Sequence, residues 1–339
     1  MGVRRDLVVL GASAGGVAAL RSVVAGLPAD LPAAVLVTMP VAHGGGNVLA
    51  AILDRAGPLP AVTAEHGAPV TPGTIQVAPA GRHLLLADRT LVLSAGPAEN
   101  GHRPAVDATF RSAAITAGPR AIGVVLSGVL DDGAAGLRAL AERHGVALVQ
   151  DPADAVYAGL PERALSRVPG ARVLRAEAIG PAVDALTREP WEPPPVPPPA
   201  PELLLEDRIA RQVPGPGITG AHTHSAGLSC PDCEGAMVWT NSAGNRFRCR
   251  IGHSWTAEAL VRAQQDEYRR ALEVALRALD EKASLAAALE DRSRQHGHPA
   301  VTERYAARNA EARRTADTLR RFIADAVEAN AVEAGPAGG

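Results

Sequence analysis

Six short runs of Val, Leu and Ile with almost no polar alternation recur through the first half of this chain. They are LVVLGAS (7 to 13), AAVLVTM (33 to 39), TIQVAP (74 to 79), AIGVVLSG (121 to 128), GVALVQD (145 to 151) and ARVLR (171 to 175). A strand with one face in water alternates apolar and polar residues, so continuous runs belong to strands covered on both faces. Helix-like stretches separate the runs, which predicts an α/β fold with a doubly wound, mostly parallel sheet. HLLLADRTLVLS (83 to 94) alternates around Asp88-Arg89-Thr90 and reads as an antiparallel β-hairpin, inserted in the sheet or at its edge.

Hydrophobic residues at 47% and charged residues at 21% exclude a disordered chain, and 339 residues leave room for about two domains. With 34 basic against 36 acidic residues there is no basic field over the whole chain, so nucleic acid is not expected as a partner. No run approaches the roughly 20 apolar residues that span a bilayer. The start, MGVRRDLVVLGAS, has the basic residues of a signal peptide but too short an apolar part, and it runs straight into a strand-turn-helix pattern. The expectation is a mature cytoplasmic protein without direct membrane insertion.

Composition shifts at PWEPPPVPPPAP (190 to 201), an extended spacer and the expected domain boundary; such a stretch can also be a ligand for SH3-like modules. A short amphipathic segment, Glu202 to Gln212, follows. The far end carries apolar or small residues at Leu272, Leu276, Leu279, Ala283 and Ala286, then Tyr305, Ala312, Ala316, Leu319, Ile323 and Ala326. That spacing is one narrow stripe on a helix, and His296-Gly297-His298-Pro299 breaks it, so residues 257–328 are expected to form an antiparallel helical hairpin. Its stripe suits self-association or packing on the first domain.

The three cysteines lie within twenty residues of one another, too few for a disulfide framework. Cys230 and Cys233 form a CxxC knuckle, and Cys249 with His253 forms a CxxxH knuckle fifteen residues on. Three thiolates and one imidazole fill a tetrahedral, structural Zn2+ site and leave no open position for catalysis. Residues 228–256 have few apolar side chains, so metal binding is expected to supply their folding energy. His222 and His224 are rival ligands.

Gly11-Ala12-Ser13-Ala14-Gly15-Gly16 ends the first strand and opens a helix. In this GxSxG pattern, small neighbours permit the sharp turn that exposes a serine hydroxyl beside the helix N-terminal amides. A phosphate-binding loop or a structural glycine turn remain alternatives, although the spacing is not GxGxxG and Thr38-Met39-Pro40 brings no acid for a ribose. Ser127-Gly128-Val129-Leu130-Asp131-Asp132 lies at the end of another buried strand. One aspartate is expected to cap the following helix, and the other to orient a base.

The order GASAGG, HRPAVDATFRSAA (102 to 114), VVLSGVLDDGAAGL (124 to 137) and VQDPADA (149 to 155) resembles the catalytic domain of the chemotaxis protein-glutamate methylesterases, the CheB type, over residues 5–178. The resemblance implies hydrolysis of glutamate methyl esters on methyl-accepting chemoreceptors, releasing methanol. It places the nucleophile on Ser13, the aspartate on Asp132 and an oxyanion-binding backbone on Ser127-Gly128-Val129. The family's histidine position, anchored on Val48-Leu49 and Ile52-Leu53, is occupied here by Pro40, which cannot act as a base. His43 is the candidate substitute. It stands three residues on, a distance that can displace a side chain by up to ~10 Å. His102 lies inside another motif. A receptor-modifying esterase and a silent relative that binds receptors or signalling partners both remain open. Methylesterases of this type often carry a receiver domain ahead of the first strand, which here begins near Leu7; control is therefore expected to act through another chain, with the zinc and helical region as a docking element.

Overall fold

The structure, a computed structural model, describes residues 4–40, 48–192, 195–213, 225–240 and 246–333, with side chains as far as Ala324. The first half alternates strands and helices in the order β1 (Leu7–Gly11), α1 (Gly16–Ala25), β2 (Ala34–Thr38), α2 (Val48–Asp54), β3 (Ala61–Thr63) and β4 (Ile75–Val77). A hairpin, β5 (His83–Ala87) and β6 (Thr90–Ser94), leads into α3 (Val106–Thr116), β7 (Ala121–Val125), α4 (Ala134–Glu142) and β8 (Val146–Gln150). Then come α5 (Gly159–Arg167), β9 (Arg172–Leu174) and α6 (Ala176–Arg188).

Seven parallel strands lie in the order β3-β4-β2-β1-β7-β8-β9. The chain winds outward from β1 to one edge, then returns and winds outward through β7 to the other. The direction reverses between β1 and β7. Alternate residues of β1 feed two separate cores: Val8 and Leu10 pack with Leu20, Val23, Ile179 and Val183, whereas Leu7 and Val9 pack with Phe110, Leu137 and Leu140. Two covered faces are the reason these strands read as unbroken apolar runs.

The hairpin neither joins the central sheet nor lies at its edge; β5 and β6 form a two-stranded sheet of their own. Leu84, Leu86 and Leu91 need an apolar cover, and α3 supplies it, with Ser112 Oγ accepting the Leu86 amide at 3.2 Å. Leu85, on the other face, packs with Ala105, Ala108 and Ala210. Ala210 ends α7 (Pro201–Ala210). An antiparallel four-stranded sheet follows, β10 (Ser225–Ser229), β11 (Ala236–Trp239), β12 (Arg246–Cys249) and β13 (Ser254–Thr256), in that spatial order.

The chain divides into two compact units, Met1–Leu260 and Val261–Gly339. Helices α8 (Ala257–Gln295) and α9 (Pro299–Glu333) supply the second. Ala283, Ala286, Ala312 and Ala316 are buried and Leu272, Leu276, Leu279, Tyr305, Leu319 and Ile323 half-buried, so the stripe read from the sequence is the inner seam; the Ala326 side chain lies outside the described residues. The break carries Gly297 at φ +72°, and the His298 amide closes the helix end on Ser293 O at 3.0 Å. Arg320 meets Asp280 at 2.7 Å, which requires the two helices to run back along each other. Among the described residues no helix is long and apolar enough to cross a membrane.

Candidate functional site

In an open α/β sheet, ligands bind beyond the carboxyl ends of the strands where the winding reverses. There β1 and β7 go on pairing past their ends, Leu126 N donating to Gly11 O at 2.9 Å and Ser13 N to Ser127 O at 2.9 Å. Ser13 is half-buried on the turn into α1, and its carbonyl accepts the Gly16 amide at 2.9 Å. Gly15 has φ +71°, and a Cβ on it would fall 2.8 Å from both Ser127 Oγ and Val156 Cβ. A side chain there is excluded by conformation and by space. The turn is therefore built to hold Ser13 at the N-terminus of α1, where helix amides favour developing negative charge.

Ser127 ties this turn to the loop after β8. Its hydroxyl donates to Ala14 O at 2.9 Å and accepts the Tyr157 amide at 3.0 Å. The Ser127 amide donates to Gln150 Oε1 at 2.9 Å and the Gly128 amide to Tyr157 O at 3.1 Å. Both amides are thus occupied in holding the loop, and of the Ser127-Gly128-Val129 backbone only the Val129 amide is left to face an oxyanion.

Neither aspartate side chain caps the helix after it, contrary to the sequence expectation. Asp132 reaches across to α3 and accepts the amides of Val106 at 2.8 Å and Asp107 at 3.0 Å. Asp107 reaches back and accepts the amides of Gly133 at 2.9 Å and Gly136 at 2.7 Å at the start of α4. The reason is local: Gly133 occupies the cap position of α4 and has no side chain, so the acceptor comes from the neighbouring helix. Burial first, and then the Asp107 charge, push the Asp132 carboxyl well above the usual range. Asp131 is raised in the same way, by burial and then by Asp107, and bonds Arg167 at 3.2 Å.

Pro40 follows the end of β2. Thr38 pairs with Gly11 and its carbonyl accepts the Ala12 amide at 3.2 Å, so Pro40, half-buried two residues on, belongs to the same sheet edge as Ser13. His43 and Gly44 to Gly46 lie outside the described residues. His102 is half-buried in a loop closed by paired backbone bonds with Glu99. His83 was not singled out by sequence, and it is fully buried. Its Nδ1 accepts the Ala105 amide at 3.2 Å, so Nε2 carries the proton and donates to Pro97 O at 2.9 Å. Burial lowers its pKa, so it is a neutral structural histidine.

The second cluster joins Cys230, Cys233, Cys249 and His253, whose ligand atoms all lie within 4.8 Å of one another. His253 Nδ1 is 3.7 Å from Cys230 Sγ and 3.5 Å from Cys249 Sγ, and the Cys233 and Cys249 sulfurs are 3.6 Å apart. A tetrahedral ion with bonds of about 2.3 Å requires ligand separations near 3.8 Å, so the donor set fits such a metal. Burial, with Cys249 adding to it, pushes the Cys230 thiol up to about 12, the direction a bound cation reverses. His222 and His224 lie outside the described residues.

Sequence reasoning also missed a buried charge cluster that joins the cysteine module to the α/β domain. Glu99 and Arg111 pair directly, Arg246 binds Glu99 at 2.9 Å, Glu206 at 2.8 Å and Asp107 at 3.4 Å, and Arg248 approaches Glu206 at 3.5 Å. Burial alone would raise the Glu99 carboxyl, but Arg111, Arg246 and Arg248 outweigh it and hold Glu99 far below the usual range.

The family model described as CheB methylesterase matches residues 8–183, across β1 to α6, with the serine turn and the Asp132 loop inside the match. This chain belongs to the CheB methylesterase family. It is 39% identical over 165 residues to the protein-glutamate methylesterase/protein-glutamine glutaminase 1 of Geobacter metallireducens, covering 48% of this chain and 45% of that one. To the protein-glutamate methylesterase FrzG of Myxococcus xanthus it is 38% identical over 178 residues, 52% of this chain and 53% of FrzG. The CheB methylesterase catalytic domain of Thermotoga maritima superposes with a TM-score of 0.52 at 30% identity, over 54% of this chain and 100% of that one. This chain spans about half the length of the curated relatives it matches.

Proposed function

We propose that this chain is a protein-glutamate methylesterase that hydrolyses glutamate methyl esters on chemoreceptors to glutamate and methanol, and that it does so slowly. The observation that carries this reading is the seating of Ser13 on a glycine-enforced turn, at the winding reversal of a CheB-type domain. Ser13 Oγ attacks the ester carbonyl, the α1 N-terminus faces the oxygen that becomes negative, and a base passes the serine proton to the departing methanol; water then attacks the acyl-serine, releasing the glutamate side chain and returning a proton to Ser13 Oγ. Asp132 is the carboxylate that orients such a base. His43 is the chain's candidate for it, because Pro40 fills the family position.

Residues 5–178 form the esterase domain in this reading, 190–201 a spacer, 228–256 a metal module and 257–328 a helical tail suited to self-association. The module holds one structural zinc through Cys230, Cys233, Cys249 and His253; the ion supplies folding energy and no chemistry. The substrate is a methyl-accepting receptor on its cytoplasmic side. A second reading, receptor binding without turnover, is favoured by Pro40 alone. Methanol release from methylated receptor helices by the wild type and by Ser13→Ala tests the proposal: release that survives Ser13→Ala rejects it.

A further inference from the structure

The cysteine module is fastened on either side of Asp132. Its last strand, β13, lies along the loop that precedes α3, with Asn100 N donating to Ser254 O at 2.7 Å and Ser254 N to Ala98 O at 3.2 Å. Asn100 Oδ1 accepts the Thr256 amide at 2.8 Å. Gly101, at φ +74°, leaves room for the Trp255 ring, which a Cβ there would approach to 3.2 Å. The Thr256 hydroxyl then does two jobs: it donates to Asp131 Oδ1 at 2.8 Å and accepts the Ala259 amide at 3.2 Å, capping the first turn of α8. On the other side Arg246 reaches Asp107, the carboxylate that caps α4 directly after Asp132. Arg246 and Thr256 are both buried, at 8% and 2% exposure.

We infer that the cysteine module positions Asp132, with Arg246 acting through Asp107 and Thr256 acting through Asp131. Asp107 and Asp132 are two buried carboxylates at adjacent helix starts, an arrangement that repels itself unless a cation offsets one of them. Arg246 supplies that cation from the module. Asp131 is joined to Asp132 by one peptide bond, so fixing its side chain on Thr256 fixes the backbone from which Asp132 projects. The catalytic role of Asp132 rests on the esterase reading, whereas the clamp rests on these contacts.

Amide hydrogen exchange in the full chain reads the clamp without any turnover. The amides of Val106 and Asp107 bond Asp132, and those of Gly133 and Gly136 bond Asp107. In Arg246→Gln and in Thr256→Val these four are expected to exchange about tenfold faster or more, with the amides of α1 and α6 unchanged. Arg250→Gln, on an exposed residue of the same module, leaves all of them unchanged. Thr256→Val preserves side-chain shape, so it reads the clamp even where Arg246→Gln frees the module. Chelation of metal from the wild type separates the two readings: if the variants loosen the four amides and chelation does not, the clamp stands and the zinc assignment falls. Where methanol release is measurable, Thr256→Val lowers kcat severalfold at unchanged KM; a raised KM at unchanged kcat overturns the inference. So does unaltered exchange at the four amides while β12 and β13 loosen, or a uniform loosening that includes α1 and α6.

Discussion

Asp107 caps the helix that follows Asp132, and Asp132 caps the helix that contains Asp107. The four bonds run from 2.7 to 3.0 Å and lock the starts of α3 and α4 to each other at the edge of the sheet where Ser13 sits. A carboxylate that accepts two buried amides is held in direction as well as in place. A residue meant to orient a base requires that.

Each exchange of caps should therefore be felt in stability. Asp107→Ala and Asp132→Ala are expected to cost about 2 kcal/mol each, since each strips two buried amides of their acceptor, and Asp107→Asn should cost less because one acceptor oxygen remains. Urea unfolding of the full chain measures this. Losses at the level of an ordinary surface substitution would show that the crossed caps are dispensable.

The charge cluster predicts an acid-sensitive junction. Glu99 is depressed in the fold, so its contribution is complete above about 4.5, its ordinary value, and drains away as pH falls toward the lower folded value. Asp132 is raised, so it acts in the opposite sense: its contribution is present below 3.8 and lost as pH rises through the folded value. Glu99→Gln should cost about 3 kcal/mol near neutrality by leaving the buried Arg111 and Arg246 with Glu206 and Asp107 as their remaining carboxylates, and it should flatten the acid limb of the melting curve. A wild type and variant with parallel acid limbs would assign that limb to other carboxylates.

Zinc should be stoichiometric and structural. Cys233→Ser is expected to lose the metal and to expose the module, read as faster proteolysis within residues 228–256 and a lower melting temperature. A variant that keeps its melting temperature, or a wild type with no bound zinc, removes the metal from this fold.

The two sites differed in how much the sequence revealed of them. Val8, Leu10 and their neighbours announce a doubly covered sheet because alternate side chains feed two cores, and Cys230, Cys233, Cys249 and His253 announce a clustered ligand set because knuckle spacing is local. Ser13 was legible for the same reason: its turn is made by adjacent glycines. Nothing local marks the partners of Asp132, 25 and 26 residues away, or the 147 residues between Glu99 and Arg246. Nothing in Arg246-Phe247-Arg248-Cys249 marks both arginines as buried, because their burial depends on carboxylates the chain brings from α7 and from the loop before α3. The alternation of residues 83–94 marks a hairpin but not its place, since only the fold decides whether its leucines meet a strand edge or α3.

The decisive chemical prediction concerns Pro40. β2 delivers it to the same sheet edge as Ser13, with Thr38 in register with Gly11. Proline has no group that can accept the serine proton, and a hydroxyl without a base remains almost wholly protonated at neutral pH. Loss of one triad member costs roughly 10⁴ to 10⁶ in turnover, leaving only the residual rate from the oxyanion site and binding. Wild-type methanol release should therefore be slow and should vanish in Ser13→Ala. Pro40→His should raise it by orders of magnitude, because the strand end brings that position to the sheet edge of Ser13 and needs no amide there. His43→Ala should change little on this account. Brisk wild-type hydrolysis that His43→Ala abolishes would instead place the base three residues on, and Pro40 would then be a displaced base position with no loss of function.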